Sequence, residues 1–108
     1  SDETITITPE LAGQAGNLFA LEVEGNSMVD ALVADGDVVL VEPRRLAQNG
    51  DMVAVWLRSS EEITLKYFYH EGSRIRLQPA NQSMGPWYVA PEDVEVEGKV
   101  VAVIRRSV

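Results

Sequence analysis

Apolar positions along this chain recur mostly with a period of two, in short runs divided by turn-forming residues. That is the pattern of half-buried β-strands and not of helices. Thr4-Ile5-Thr6-Ile7-Thr8 reads as a short edge strand closed by Pro9, and Pro9-Glu10-Leu11-Ala12 has the form of a helical start. Leu18 to Val23 is a second strand leading directly into Gly25-Asn26-Ser27-Met28. Residues 28–34 suit one or two helical turns, and Asp35-Gly36-Asp37 is a sharp turn. Val38 to Val41 is a wholly apolar strand stopped by Glu42-Pro43. Asn49-Gly50-Asp51 turns into a strand over Met52–Leu57, and Arg58 to Glu61 is a hairpin loop into Ile63–His70. Arg74 to Gln78 alternates with its arginines on the wet face. Residues 79–86 form a loop rich in Pro, Asn, Ser and Gly, followed by a short strand at Trp87–Val89. Asp93 to Glu97 and Lys99 to Ile104 read as two further strands with Gly98 between them. The pattern predicts an all-β fold of about seven to nine short strands, either a small, highly twisted sheet or a partly open barrel.

At 108 residues with 45% apolar content, the chain is expected to be one domain, spanning 1–108, with a single core. Its formal charge of −8, from 17 acidic and 9 basic residues, repels phosphate backbones and anionic membrane faces. Neither DNA nor RNA is therefore an expected partner of this segment alone. No apolar run approaches the ~20 residues of a membrane span. The absence of cysteine removes any disulfide framework and fits a reducing, cytoplasmic setting. With no Cys and the single His70, thiol chemistry, a Ser-His-Asp triad and a Cys/His zinc site are all poorly supported, and no cofactor is implied.

What chemistry there is centres on Ser27 and Lys66, 39 residues apart. Ser27 sits on a glycine-bearing turn straight after an apolar strand. From there a hydroxyl and the neighbouring backbone N–H groups can be presented to one point. A serine hydroxyl needs a base to take its proton, and here the candidates are Lys66, Lys99 and the carboxylates. Strand parity favours Lys66, which shares a face of its strand with Thr64 and Phe68 and lies between Leu65 and Tyr67 in sequence. Held against a core, its amine loses hydration, which disfavours the charged form. The N–H groups of Ser27 and Met28 are placed to meet a developing oxyanion. Taken singly, a serine in a Gly-Asn-Ser turn is an ordinary turn residue, and a strand lysine usually snorkels its charge into water. His70 reads as a surface residue, Trp56 and Trp87 as core and loop packing, and Arg44-Arg45 as a small loop charge cluster.

Together these residues resemble the C-terminal autopeptidase domain of the LexA family, which includes UmuD-like proteins and phage repressors. The resemblance runs over nearly the whole chain. Val23-Glu24-Gly25-Asn26-Ser27-Met28 is similar to its nucleophile turn, Asp35-Gly36-Asp37 to its D-G-D turn, and Gly50-Asp51-Met52-Val53 to a strand entry. Glu62-Ile63-Thr64-Leu65-Lys66 matches the strand carrying its lysine, Leu77-Gln78-Pro79-Ala80-Asn81 the strand and loop that follow, and Gly98 to Arg105 the end of the domain. The resemblance implies Ser27 as nucleophile, Lys66 as general base and Met28 as an oxyanion-hole amide donor. It also implies an all-β homodimer and stimulation of self-cleavage by a RecA–single-stranded-DNA filament; the unbroken apolar run from Val100 to Ile104 makes the strand Lys99 to Arg106 the expected element to pair across a two-fold axis. In such a family DNA is bound through an N-terminal helix-turn-helix domain, which this sequence does not supply. Ala12-Gly13 and Ala15-Gly16 have the composition of the family's cleavage site, but their glycines lie only 14 and 11 residues before Ser27 and read as loop. The chain is thus expected to begin after the scissile bond. Alternatives are a UmuD-like polymerase accessory protein and a phage-type dimerisation module with an idle peptidase.

Overall fold

A computed structural model describes residues 17–105. Within them, seven strands form one open antiparallel sheet: β1 (Phe19–Glu22), β2 (Val38–Pro43), β3 (Met52–Leu57), β4 (Glu62–Glu71), β5 (Arg74–Gln78), β6 (Trp87–Val89) and β7 (Val94–Ile104). Their order across the sheet is β1-β2-β7-β3-β4-β5-β6. The fold is all-β, with two single-turn 3-10 helices at Val29–Ala31 and Pro91–Asp93. The strand expected at Thr4–Thr8, the turn at Pro9 and the two Ala-Gly pairs lie outside the described residues, as does Arg106.

Alternation sets which side chains go where. On β3, Val53, Val55 and Leu57 point to one face and pack with Phe68, Ile75, Leu77 and Val96. Ala54 points to the other face, into a cluster with Val23, Met28, Val33, Val39 and Val41. The second cluster is thus covered by the segment that follows β1, the one that carries Ser27. On β4 the same parity buries Lys66 and Phe68, with Lys66 opposite Val53 on β3 and Phe68 opposite Leu77 on β5.

Two expectations are corrected. Gly98 does not end a strand; β7 runs unbroken from Val94 to Ile104. At Gly98 it passes from one partner to the other, pairing with Ala54 of β3 and with Pro43 of β2. A Cβ there would collide with the Glu42 carbonyl oxygen and lie 2.6 Å from Val41 Cγ1. The glycine permits two backbones to approach; it does not punctuate the chain. The helical turns expected over 28–34 shrink to the three residues Val29–Ala31. Leu32 closes that turn in the left-handed region at φ 64°, 80% exposed on the surface, which lets Val33 drop into the core with no exposure at all.

β4 changes partner along its length, pairing with β3 over Glu62 to Tyr67 and with β5 over Tyr67 to Glu71, so that Tyr67 alone of the described strand has a partner on each side. Tyr67 to Glu71 face β5, whereas Glu62 to Lys66 have β3 on one side and no strand on the other among the described residues. That gap in the sheet is where the Ser27 turn and the functional groups meet.

Candidate active site

The turn that carries Ser27 is held from several directions. Gly25, at φ 85°, adopts a backbone conformation that a side chain would strain, and its N–H donates to Asp35 Oδ1 at 2.7 Å. The Val23 N–H donates to the Asp37 carbonyl at 2.8 Å, and the Gly36 N–H returns a bond to the Val23 carbonyl at 2.8 Å. From the loop after β5, the Ala80 N–H donates to the Ser27 carbonyl at 2.8 Å, and the Asn81 side-chain amide donates to the Asn26 carbonyl at 2.7 Å. The Met28 side chain, 1% exposed, anchors the far end of the turn in the core. The two ties from the loop after β5 use the Asn26 and Ser27 carbonyls. Among the described residues, neither the Ser27 N–H nor the Met28 N–H donates a hydrogen bond.

Asp37 ties the turn to the end of the sheet. Its buried carboxylate accepts the Ala34 N–H at 2.8 Å and a two-pronged bond from Arg105 Nε and Nη2, each at 2.9 Å. The Arg105 hydrogen bond, seconded by the Ala34 N–H, holds this carboxyl below its ordinary range.

Lys66 reaches the turn from β4. Its Nζ stands 3.2 Å from Ser27 Oγ and 2.7 Å from Thr64 Oγ1, and the residue is 3% exposed. Burial pushes the amine below the ordinary lysine value, while the negative charge of Glu62 opposes that shift more weakly. The ring of Trp87 lies over Nζ, 4.6 Å away at its centroid. An uncharged amine so placed can donate to Thr64 and accept the serine proton. The flanking space is a cleft of about 310 Å³ with apolar walls that include Leu21, Val23, Ile63 and Leu65. Glu22, Glu24 and Glu62 also line it.

Ser27, Met28 and Lys66 therefore lie together beside one cleft. Lys99, the other basic amine considered, lies on β7 with Nζ 3.5 Å from Asp51 Oδ1, in an ion pair apart from the turn. His70 is exposed, as its position at a strand end suggests. Two members of the site escape sequence reasoning. Thr64 is a same-face neighbour of Lys66, so parity places it nearby but not as the hydrogen-bond partner of the amine. Trp87 is not the packing residue expected of it. It sits in the cleft because β6 pairs with β5, setting Trp87 opposite Leu77, and β5 in turn pairs with β4.

The Peptidase S24-like family model matches residues 1–101. The chain belongs to the Peptidase S24-like family. It is 50% identical over 107 residues to a LexA repressor of Herpetosiphon aurantiacus, which covers 97% of this chain and 50% of that one. With a LexA repressor of Roseiflexus sp. it shares 51% identity over 89 residues, 82% of this chain and 41% of the relative. A LexA repressor of Novosphingobium aromaticivorans is 44% identical over 103 residues, 95% of this chain and 43% of the relative. This S24-like chain thus spans about half the length of the curated relatives it matches. Among the described residues, no helix is long and apolar enough to cross a membrane.

Proposed function

We propose that the chain is the self-cleaving serine peptidase and dimerisation domain of a LexA-like repressor, working by a Ser27–Lys66 dyad. The observation that carries this reading is a lysine amine 3% exposed and 3.2 Å from the Ser27 hydroxyl. The neutral amine of Lys66 takes the proton of Ser27 as Oγ attacks a peptide carbonyl. The resulting alkoxide is met by the Ser27 and Met28 N–H groups, which among the described residues have no acceptor to give up. The protonated amine then passes its proton to the leaving nitrogen, and water releases the acyl group by the same route in reverse. The scissile bond joins small residues in the longer protein, upstream of the described fold. The whole protein acts in the cytoplasm, binds DNA through its other half, and loses repression in the DNA-damage (SOS) response when a RecA–single-stranded-DNA filament stimulates cleavage.

Dimerisation has its own support. β3 pairs with β7 only as far as Lys99, and β2 covers the other edge. Val100 to Ile104 thus leave one edge free among the described residues, and Val101 and Val103 are 37% and 42% exposed there. Pairing of this edge with that of a second copy about a two-fold axis satisfies the free backbone groups and covers both valines. Lys66→Ala in a chain extended through its natural upstream sequence tests the peptidase. Self-cleavage is expected to disappear at alkaline pH, and survival of the wild-type rate would refute the dyad.

A further inference from the structure

Resting on the dyad reading, we infer that Trp87 is a positioning residue for Lys66: its indole face holds the amine in the ammonium form from the open side of the cleft. Among the described residues, Lys66 Nζ has two hydrogen-bond partners, the Thr64 and Ser27 hydroxyls, and the Trp87 ring lies over it at 4.6 Å. The electron-rich face of an indole attracts a cation and does nothing comparable for a neutral amine. Burial acts the other way, and so the charge state of Lys66 is a balance between a dry pocket and an aromatic cap. Trp87 is 44% exposed on a three-residue edge strand, where packing alone does not call for so large a ring. In this site the positive charge that must be shed before Ser27 can react is stabilised by a side chain that a peptide entering the cleft also touches.

Other charges around Lys66 do not duplicate this role. Glu62 on β4 favours the ammonium, and Glu22 at the end of β1 and Glu24 after it also line the cleft, but none is altered by replacing Trp87. Val53 stands opposite on β3, and beyond it on β7 Lys99 is engaged by Asp51. The arginines of β5 stack on other rings, Arg74 on Tyr88 and Arg76 on Tyr69.

The test is a titration of the Lys66 Cε resonance in the 108-residue chain, which contains only one other lysine. Trp87→Leu keeps an apolar cover and removes the π face. The proton affinity of Lys66 is expected to fall about threefold to tenfold, with Trp87→Phe between Leu and wild type. Fluorinated tryptophan, which weakens the ring quadrupole at nearly constant shape, should lower the affinity stepwise and keeps the test open should the Leu variant fail to fold. An affinity that is unchanged or higher in the Leu variant, or indifferent to fluorination, overturns the inference and leaves the ring as mere cover. This readout needs no cleavage. An unchanged titration alongside Lys66-dependent cleavage therefore sinks the role of Trp87 alone, and a ring-sensitive titration alongside cleavage that survives Lys66→Ala sinks the dyad alone.

Discussion

Replacing Thr64 by valine exchanges a hydroxyl for a methyl of similar size, so it removes one interaction while keeping the strand. The Thr64 oxygen is the shorter of the two polar contacts of Lys66, 2.7 Å against 3.2 Å to Ser27. For the neutral amine, donating one N–H to Thr64 turns the lone pair toward the serine. Losing a hydrogen bond between neutral groups costs about 0.5–1.5 kcal/mol. At about 1.36 kcal/mol per tenfold, the plateau rate of self-cleavage at high pH should fall about threefold to tenfold. The ammonium form suffers more, because a charged N–H is left without an acceptor in a site almost closed to water, where such bonds are worth about 1.5–3 kcal/mol. Its proton affinity falls, and the pH of half-maximal rate moves down. The assay is a pH–rate profile of self-cleavage in the extended chain, wild type against Thr64→Val. A plateau within about twofold of wild type would refute the orienting role, and a half-maximal pH that moves up would refute the accounting of the charged form.

The buried amine also marks stability. Because the folded state binds the Lys66 proton less tightly than the unfolded chain, its cost is full below the lowered folded value. It is relieved as pH rises toward the ordinary ~10.4. Urea melts should therefore find Lys66→Met more stable than wild type near about pH 6, with the gap closing toward about pH 9; a gap independent of pH contradicts this. Asp37 works in the opposite sense, since its folded value is depressed by Arg105. Its contribution is present above the unfolded value of ~3.9 and lost as pH falls through the folded one. Arg105→Met should thus lower stability at neutral pH and lose less on acidification than wild type, again by urea melts. Gly98→Ala forces a Cβ into the Glu42 carbonyl and Val41 and should cost about 1–3 kcal/mol, a fall in Tm of about 4–8 °C for each kcal/mol; an unchanged Tm would mean that β2 and β7 can part without penalty. Val103→Glu should turn a dimer into a monomer in sedimentation, and a dimer that survives it would move the interface elsewhere.

Local pattern carried the strands and the core of the site. Met52–Leu57, Arg74–Gln78 and Trp87–Val89 are legible to the residue because each is a run of strand formers between strong turn signals. Parity along β4 foretold that Lys66 and Phe68 point inward together, and that one fact leads to the proposed Ser27–Lys66 pair. Where pattern failed, the cause was tertiary. Gly98 has the local form of a break, and only the two backbones crossing at it reveal a close approach. Residues 28–34 have helical spacing, but the turn ends after Val29–Ala31 because Val33 is drawn into the second core cluster. Trp87 joins the site through two successive strand pairings that no local stretch encodes, and parity puts Thr64 beside Lys66 without saying that the amine bends back to its hydroxyl.

Lys66 and Lys99 are the only lysines of the chain, so the Lys66 Cε signal can be assigned and followed directly. Its titration midpoint should lie below the ordinary lysine value and coincide with the pH of half-maximal self-cleavage in the extended chain. A Lys66 that titrates as a lysine does in water, with cleavage rising at a different pH, would contradict a neutral buried amine as the base for Ser27.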